Sequence, residues 1–334
     1  MAPSGDVGSV RMRVLITGMG GELGTRVAAL VEADPDVEAV LGVDLDPPRR
    51  RLHRAAFELV EPDDRAGTIR RVVDFAPTVV VHLGIYEPNA RTGPQRAVAL
   101  TASGTVGLLT AVAEAGSVEH LVIRSGIEVY GRRRRAPVRP DEDVAPDPTS
   151  PFGQSLRHVE HVATTTGRRL DVPTTVLRFA PLVGPHFPSP LGRLLRLPTV
   201  PVSGLGDPPF SVLHQEDAAA AVVAAVTRPH DGALNVVAPG AVTAAQAARL
   251  GGRLALPVVG LGWRPVRLLA GLVGAPLPEH VRELLVRGRT ADGSRIGEVL
   301  GVHPARTTPE VVEHLYDWPA VTYVSPTDAV EDVA

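Results

Sequence analysis

The sequence predicts an α/β fold, a doubly wound parallel sheet with a smaller, irregular C-terminal lobe, on three observations. Short apolar runs alternate with helix-length segments in the order β-α-β-α-β, the arrangement that puts crossover helices on both faces of a parallel sheet. The first run, Val14-Leu15-Ile16, feeds straight into a glycine turn and then a helical segment. The second run ends on an acid, Asp44, about twenty residues past that turn.

Each element has its own signal. Val14–Ile16 is aliphatic and β-branched, as a strand buried on both faces requires. Glu22–Glu32 is a helical run, and Val37–Val43 a second strand. Ala55–Val60 is a third strand, Asp64–Phe75 a helix that Pro77 stops, and Thr78–Leu83 a fourth, nearly continuous apolar strand. Pro94–Gly116 is a long alanine-rich helix and Glu119–Ile123 a fifth strand. Gly131–Pro151 is a polar, exposed loop with four consecutive arginines, Arg132 to Arg135, which either meet a phosphorylated substrate or form a solvated, locally paired segment. Phe152–Gly167 is a helix and Pro173–Phe179 a strand. Residues 181–209 are rich in Pro, Gly and Leu and are expected to be irregular, over the carboxyl ends of the strands. Asp217–Thr227 is a helix, Ala233–Val237 a returning strand, and residues 239–320 alternate short helices with proline breaks.

The glycine turn is the most informative stretch. In TGMGGELG, Gly18, Gly21 and Gly24 have the T-G-x-x-G-x-x-G spacing. A strand, such a turn and a helix form a dinucleotide cradle: the backbone turns tightly and approaches a pyrophosphate, and the helix N-terminus presents free N–H groups to it. Asp44 lies where a carboxylate accepts the 2′-hydroxyl of an adenosine ribose and repels a 2′-phosphate, so NAD is expected in preference to NADP.

Composition removes several chemistries. The chain has 334 residues, 44% hydrophobic and 21% charged, with net charge −3, so no global field draws it to nucleic acid or an anionic membrane. It has no cysteine, which excludes disulfides, thiolate zinc and thiol catalysis, and no metal site is expected. It has no lysine either; all 34 basic residues counted as Lys or Arg are arginine. No side chain can therefore form a Schiff base or lower a neighbour's pKa with an ε-ammonium. No apolar stretch is expected to reach membrane-spanning length, the N-terminus lacks a signal-peptide core, and a cytoplasmic location follows as the default.

Six stretches in order resemble the extended short-chain dehydrogenase/reductase family, of the NAD-dependent epimerase/dehydratase type, over residues 11–316. TGMGGELG is similar to its N-terminal fingerprint, and His82-Leu83-Gly84 to its strand-four motif. LVIRSGIEVYG (Leu121–Gly131) is similar to its strand-five stretch, and LRFAPLVGP (Leu177–Pro185) to LRxxNVYGP. FSVLHQEDAAAAV (Phe210–Val222) and GALNVVAPGAVT (Gly232–Thr243) complete the set. The resemblance implies a Rossmann-type NAD-binding core over residues 11–180, with Gly18, Met19, Gly20, Gly21, Glu22, Leu23, Gly24, Asp44, Leu83 and Gly84 at the cofactor. It implies a substrate lobe over residues 181–320, of which 210–237 returns to the core. Residues 1–10 are then a disordered lead-in and 321–334 a loose tail. It further implies a homodimer through helices near 94–116 and 152–167.

That family's chemistry usually rests on a tyrosine and a lysine four residues on, with a Ser or Thr near the end of strand five and an Asn on the preceding long helix. Here SPYxxSK is SPFGQSL: Phe152 stands for the tyrosine and Leu156 for the lysine. Gly126 stands at the serine position, with Ser125 one residue before it, and Thr101 replaces the asparagine. Ser125 and Tyr86 are the candidate replacement catalytic residues, Tyr86 because it follows the strand-four motif. Gly126, Phe152, Pro181 and Arg193 are the candidate substrate contacts; Pro181 replaces an asparagine that often meets a nucleotide sugar.

Three functions follow. The chain is an NAD-dependent oxidoreductase, or an epimerase or dehydratase that starts by oxidation, with non-standard acid/base residues and a small-molecule or sugar-like substrate. Or it is a non-catalytic NAD-binding sensor or scaffold. Or it is an interaction protein that has kept only the fold, against which the retained glycines and Asp44 argue.

Overall fold

The computed structural model describes residues 12–61 and 63–317, so the expected lead-in and tail lie outside the described residues. The chain runs β1 (Met12–Thr17), α1 (Glu22–Val31), β2 (Val37–Asp44), β3 (Ala56–Leu59), α2 (Arg65–Phe75), β4 (Val79–His82), α3 (Pro94–Ala115), β5 (His120–Gly126), a 3-10 turn (Ile127–Tyr130), α4 (Pro151–Leu170) and β6 (Thr174–Phe179). It continues through β7 (Leu182–Val183), α5 (Pro190–Leu195), β8 (Thr199–Ser203), β9 (Leu213–His214), α6 (Gln215–Thr227), β10 (Gly232–Val236), α7 (Ala244–Leu250) and β11 (Leu254–Val258). Four helices close it: α8 (Trp263–Leu272), α9 (Glu279–Arg287), α10 (Arg295–Leu300) and α11 (Thr308–Asp317).

Seven strands form one sheet in the order β10-β6-β5-β4-β1-β2-β3, and every neighbouring pair is parallel. The chain builds outward from β1 to β3, returns to β4 on the other side of β1, and builds outward again. The sheet is thus doubly wound, and its order reverses between β1 and β4, where crevices open above the carboxyl ends of such strands. Val14, Leu15, Ile16, Val80, Val81, Leu121 and Val122 are fully buried in its centre. Helices α1 and α6 pack together, as do α2, α3 and α4 in sequence.

Local chemistry explains the helix ends that matter for the site. The Ser150 hydroxyl accepts the Gly153 N–H at 3.2 Å and Pro151 occupies the first turn of α4. That start sets the register which turns Phe152, Leu156, Val159, Glu160 and Ala163 inward. Asp64 caps α2 by accepting the Gly67 N–H at 2.8 Å.

Three expectations are corrected. Residues 181–209 are not irregular throughout: they hold β7, α5 and β8. Residues 239–320 include a strand as well as helices, since β11 pairs in parallel with β8; four of its five residues are exposed and Pro257 lies within it, which hides the usual buried-strand signal. Finally, α3 does have the length and apolar composition of a membrane-crossing helix. It is instead a packed helix of this fold, with Ala97, Leu108, Leu109, Ala111 and Val112 buried and α2 and α4 against it.

Three buried histidines make the fold acid-sensitive. The His82 ring shares hydrogen bonds with Thr17 Oγ1 (2.7 Å) and Thr105 Oγ1 (2.9 Å), tying β1, β4 and α3 together. His120 meets Thr175 Oγ1 at 2.9 Å, and His214 meets His314 at 3.1 Å. Burial pushes all three down to about 4, reinforced by Arg124 at His82, His230 at His120 and Arg306 at His214. Between about 6.5 and 4 the unfolded chain binds these protons and the folded chain does not. Stability is therefore full above about pH 6.5 and falls as pH drops toward 4, by up to about 1.4 kcal/mol per pH unit for each histidine. The urea midpoint should fall steeply from pH 6.5 to 4.5 and the slope should shrink in His82→Asn; a midpoint unchanged across that window would refute the assignment.

Candidate functional site

A cleft lies above the carboxyl ends of β2, β1, β4 and β5, at the reversal of strand order. Its floor is Gly18, Gly21, Glu22, Leu23 and Gly24, its sides Asp44, Leu83 and Gly84, and its cavity volume is about 70 Å³. Gly18 has φ +75°, and a Cβ there would lie 2.7 Å from the backbone of Leu83 and Gly84. Glycine is therefore required for the turn to approach β4. The N-terminus of α1 has no side-chain cap, so its first-turn N–H groups remain for a ligand at the cleft floor.

Eight of the ten expected cofactor residues line this cleft; Met19 and Gly20 do not. The Met19 side chain is fully buried, with its sulfur under Gly42 of β2, because the turn rolls that residue into the core. The Gly20 carbonyl accepts from Arg49 Nε (3.3 Å) and from Nη2 of Arg91, which itself lines the cleft (3.2 Å), and the two brace the turn.

Asp44 is buried, and its Oδ1 accepts the Leu45 N–H at 2.7 Å. Burial raises its pKa, with Leu45 and Arg91 opposing. A second, smaller cavity adjoins it, lined by Val43, Val60, Thr68 and Leu108. Tyr86 lies between the two cavities, and its hydroxyl donates to Asp44 Oδ1 at 3.4 Å. Burial, then the Asp44 charge, push the phenol above its ordinary range. This shift is opposite to the one that suits a tyrosine moving protons near neutral pH, and Tyr86 lines the cleft on its Asp44 side. Thr101, at the expected asparagine position, accepts the Tyr86 N–H at 3.0 Å and anchors this loop.

Ser125 does not line the cleft. It is buried and donates to Glu160 Oε1 at 2.5 Å. Glu160 is gripped by Arg178, Nε to Oε1 at 2.9 Å and Nη2 to Oε2 at 2.8 Å. Arg178 also donates to the Tyr130 hydroxyl (2.8 Å), which donates to Asn235 (2.8 Å). Side chains alternate along β5, so when Arg124 lines the cleft Ser125 points away from it.

The expected Tyr–Lys positions are packed. Phe152 and Leu156 are both buried. A Cβ at Gly126 would lie 2.4 Å from Glu128 Oε2 and 3.2 Å from Leu156 Cδ1, so no serine fits there without displacing them. The Phe152 ring packs on His280 of α9, centroids 4.8 Å apart. Neither Gly126 nor Phe152 lines the cleft. Pro181 accepts the Leu213 N–H at 3.0 Å, part of the β7–β9 pairing. Arg193 donates to the Asn89 carbonyl, strapping α5 to the loop after β4. In the polar loop, Arg133 pairs with Asp147 at 2.6 Å and Arg132 donates to Pro137 O, so these arginines are locally paired.

Sequence reasoning missed the charged groups at the β5 end. Glu87 and Arg124 line the cleft. Glu87 Oε1 meets His280 Nε2 at 3.0 Å, and Arg124 donates to the Ile85 carbonyl at 3.3 Å. Burial lowers the Arg124 pKa, opposed by the Glu87 and Glu128 carboxylates. Behind them, fully buried Arg289 joins Glu283 (2.8 Å) and Glu128 (3.4 Å). The cleft thus holds a carboxylate bound by a histidine beside a guanidinium, able to accept or return a proton and to hold an oxygen anion. Arg124 had a signal in the alternation of β5; His280 had none, since it arrives from α9. Among the described residues no group of three or more His, Asp and Glu side chains is arranged to hold a metal ion.

The NAD dependent epimerase/dehydratase family model matches residues 14–237. An uncharacterized protein of Mycobacterium tuberculosis is 32% identical over 315 residues, covering 91% of this chain and 83% of its own. The fold is similar to UDP-glucose 4-epimerase of Thermotoga maritima, solved with UDP-glucose (TM-score 0.73, 21% identity, 92% of this chain and 98% of that one). It is also similar to dTDP-glucose 4,6-dehydratase of Bacillus anthracis in complex with NAD (TM-score 0.70, 17% identity, 92% and 96%).

Proposed function

This chain belongs to the NAD dependent epimerase/dehydratase family, and from that premise we propose that it is an NAD-dependent oxidoreductase, or an epimerase or dehydratase that starts by oxidation, acting on a small-molecule or sugar-like substrate with acid/base groups other than the Tyr–Lys pair. The observation that carries this reading is that Glu87 and Arg124 line the same cleft as the glycine turn and Asp44. The uncapped first turn of α1 would bind the pyrophosphate, and Asp44 the ribose 2′-hydroxyl, which favours NAD over NADP. Bound NAD supplies a reversible hydride acceptor.

The remaining chemistry belongs to the chain. Oxidation of a substrate hydroxyl requires a base for its proton, and the Glu87 carboxylate, held by His280, is the base in this reading. Arg124 would steady the oxygen from which the proton leaves. Phe152 and Leu156 give neither proton nor charge; they support α4 and the His280 ring. Those same replacements favour the second reading, a non-catalytic NAD sensor or scaffold. We further propose a cytoplasmic homodimer through α3 and α4, for which light scattering should give twice the chain mass.

Calorimetry with NAD and NADP, followed by the reduced-nicotinamide absorbance with UDP-glucose, UDP-glucuronate, dTDP-glucose and GDP-sugars, separates the readings. The enzyme reading expects NAD binding, turnover of at least one substrate, and a loss of roughly 100-fold or more in kcat in Glu87→Gln at unchanged NAD affinity. NAD binding without turnover supports the sensor; no binding removes both.

A further inference from the structure

The segment from β11 to the end of α8 carries a surface that the cleft does not use. Leu254, Leu261, Leu268 and Leu272 are 72%, 74%, 67% and 76% exposed, and Val259, Leu269 and Val273 are exposed beside them. The turn after β8 lies against this surface, where the Gly204 N–H donates to the Val258 carbonyl at 2.9 Å, and it adds Leu205, 86% exposed. Such a concentration of outward apolar side chains marks an interaction surface.

On α8, Trp263 and Ala270 are buried and Val266 packs on the core. The helical period then puts Leu268 and Leu272 on the outermost line, Leu269 and Val273 on one flank, and Arg264 and Arg267 on the other. A surface helix normally shows the reverse, with polar residues outermost. The charge here also departs from that of the whole chain. Residues 232–278 contain no Asp or Glu but include Arg249, Arg253, Arg264 and Arg267, although the net charge of the chain is −3. The next acid along the chain, Glu279, is taken by Arg282. Asp207, on the loop after β8, accepts the Ala245 N–H.

We propose that this face docks on an anionic lipid bilayer, with the α8 leucines at the boundary between headgroups and acyl chains and Arg264 and Arg267 on lipid phosphates. An anionic bilayer suits both halves of the pattern at once, apolar side chains at the tip and cations at the rim. A second copy of the chain suits only the first half, because a two-fold contact would bring the arginines of two copies together, and Glu279, the acid whose charge reaches Arg267, is already held by Arg282. The attachment is peripheral, and it is independent of how the cleft is used.

The test is co-sedimentation of the full chain with phosphatidylcholine vesicles, with and without phosphatidylglycerol. Binding should be at least tenfold stronger with phosphatidylglycerol and should fall with added salt. The double variants Leu268→Asp/Leu272→Asp and Arg264→Gln/Arg267→Gln should each lower it at least tenfold. Their thermal midpoints and NAD affinity should not change, since these side chains are exposed and lie outside the cleft. Absence of vesicle binding, or binding indifferent to both variants, overturns the proposal. So does a dimer in light scattering that the leucine variant splits while vesicle binding persists.

Discussion

Arg178→Met is expected to cost about 3–5 kcal/mol of folding stability, read as a lowered urea midpoint at constant slope. The side chains of Arg178 and Glu160 are only 6% and 9% exposed, and two parallel hydrogen bonds join them. The guanidinium also lies over the Tyr130 ring, 5.0 Å from its centroid. Burial works against its charge, but the Glu160 hydrogen bonds and charge prevail and raise its pKa. Removing the arginine leaves a buried carboxylate whose remaining hydrogen-bond donor is the Ser125 hydroxyl. Removing both charges in Arg178→Met/Glu160→Leu should recover most of the loss, since a buried pair and a well-packed apolar replacement are often close in energy. A single-variant cost below about 1 kcal/mol would mean that the network does not hold β5, α4 and β6 together.

Gly18→Ala is expected to weaken NAD binding tenfold or more, whichever reading of the cleft's chemistry holds. The left-handed backbone at Gly18 alone costs an alanine about 1–2 kcal/mol. Its Cβ would also meet the backbone of Leu83 and Gly84, just after β4, at 2.7 Å, which must open the cleft between the ends of β1 and β4. The control is Gly206→Ala, where a Cβ meets nothing within 4 Å. Calorimetry on both variants checks this; equal affinities would separate the glycine turn from nucleotide binding.

The turn and Asp44 were legible because they are local. A glycine spacing, a strand before it and a helix after it are all contained in residues 12–31, and β2 delivers Asp44 at its own carboxyl end. The parallel order of the strands was legible for the same reason, since each apolar run and each helical spacer declares itself within a few residues. The direction of a side chain at the end of β5 was not. Reading that strand as stopping at Ile123 left Ser125 free, whereas the strand runs on to Gly126 and its alternation turns Arg124 to the cleft and Ser125 to Glu160. Tyr86 was read from its place after the strand-four motif, but its reach to Asp44 depends on how the loop after β4 folds back.

The sequence by itself determined the doubly wound sheet, the glycine turn between its first strand and first helix, the acid at the end of β2 and, through the absence of lysine, the impossibility of a Tyr–Lys relay. Only the tertiary structure decided what stands in that relay's surroundings. It brings His280 from α9 against Phe152 of α4 and Glu87 of the loop after β4, and it leaves the leucines of α8 facing outward. The physical reason is that propensity and periodicity act over one turn or one strand, whereas these contacts join segments with many residues between them and arise only when the core closes.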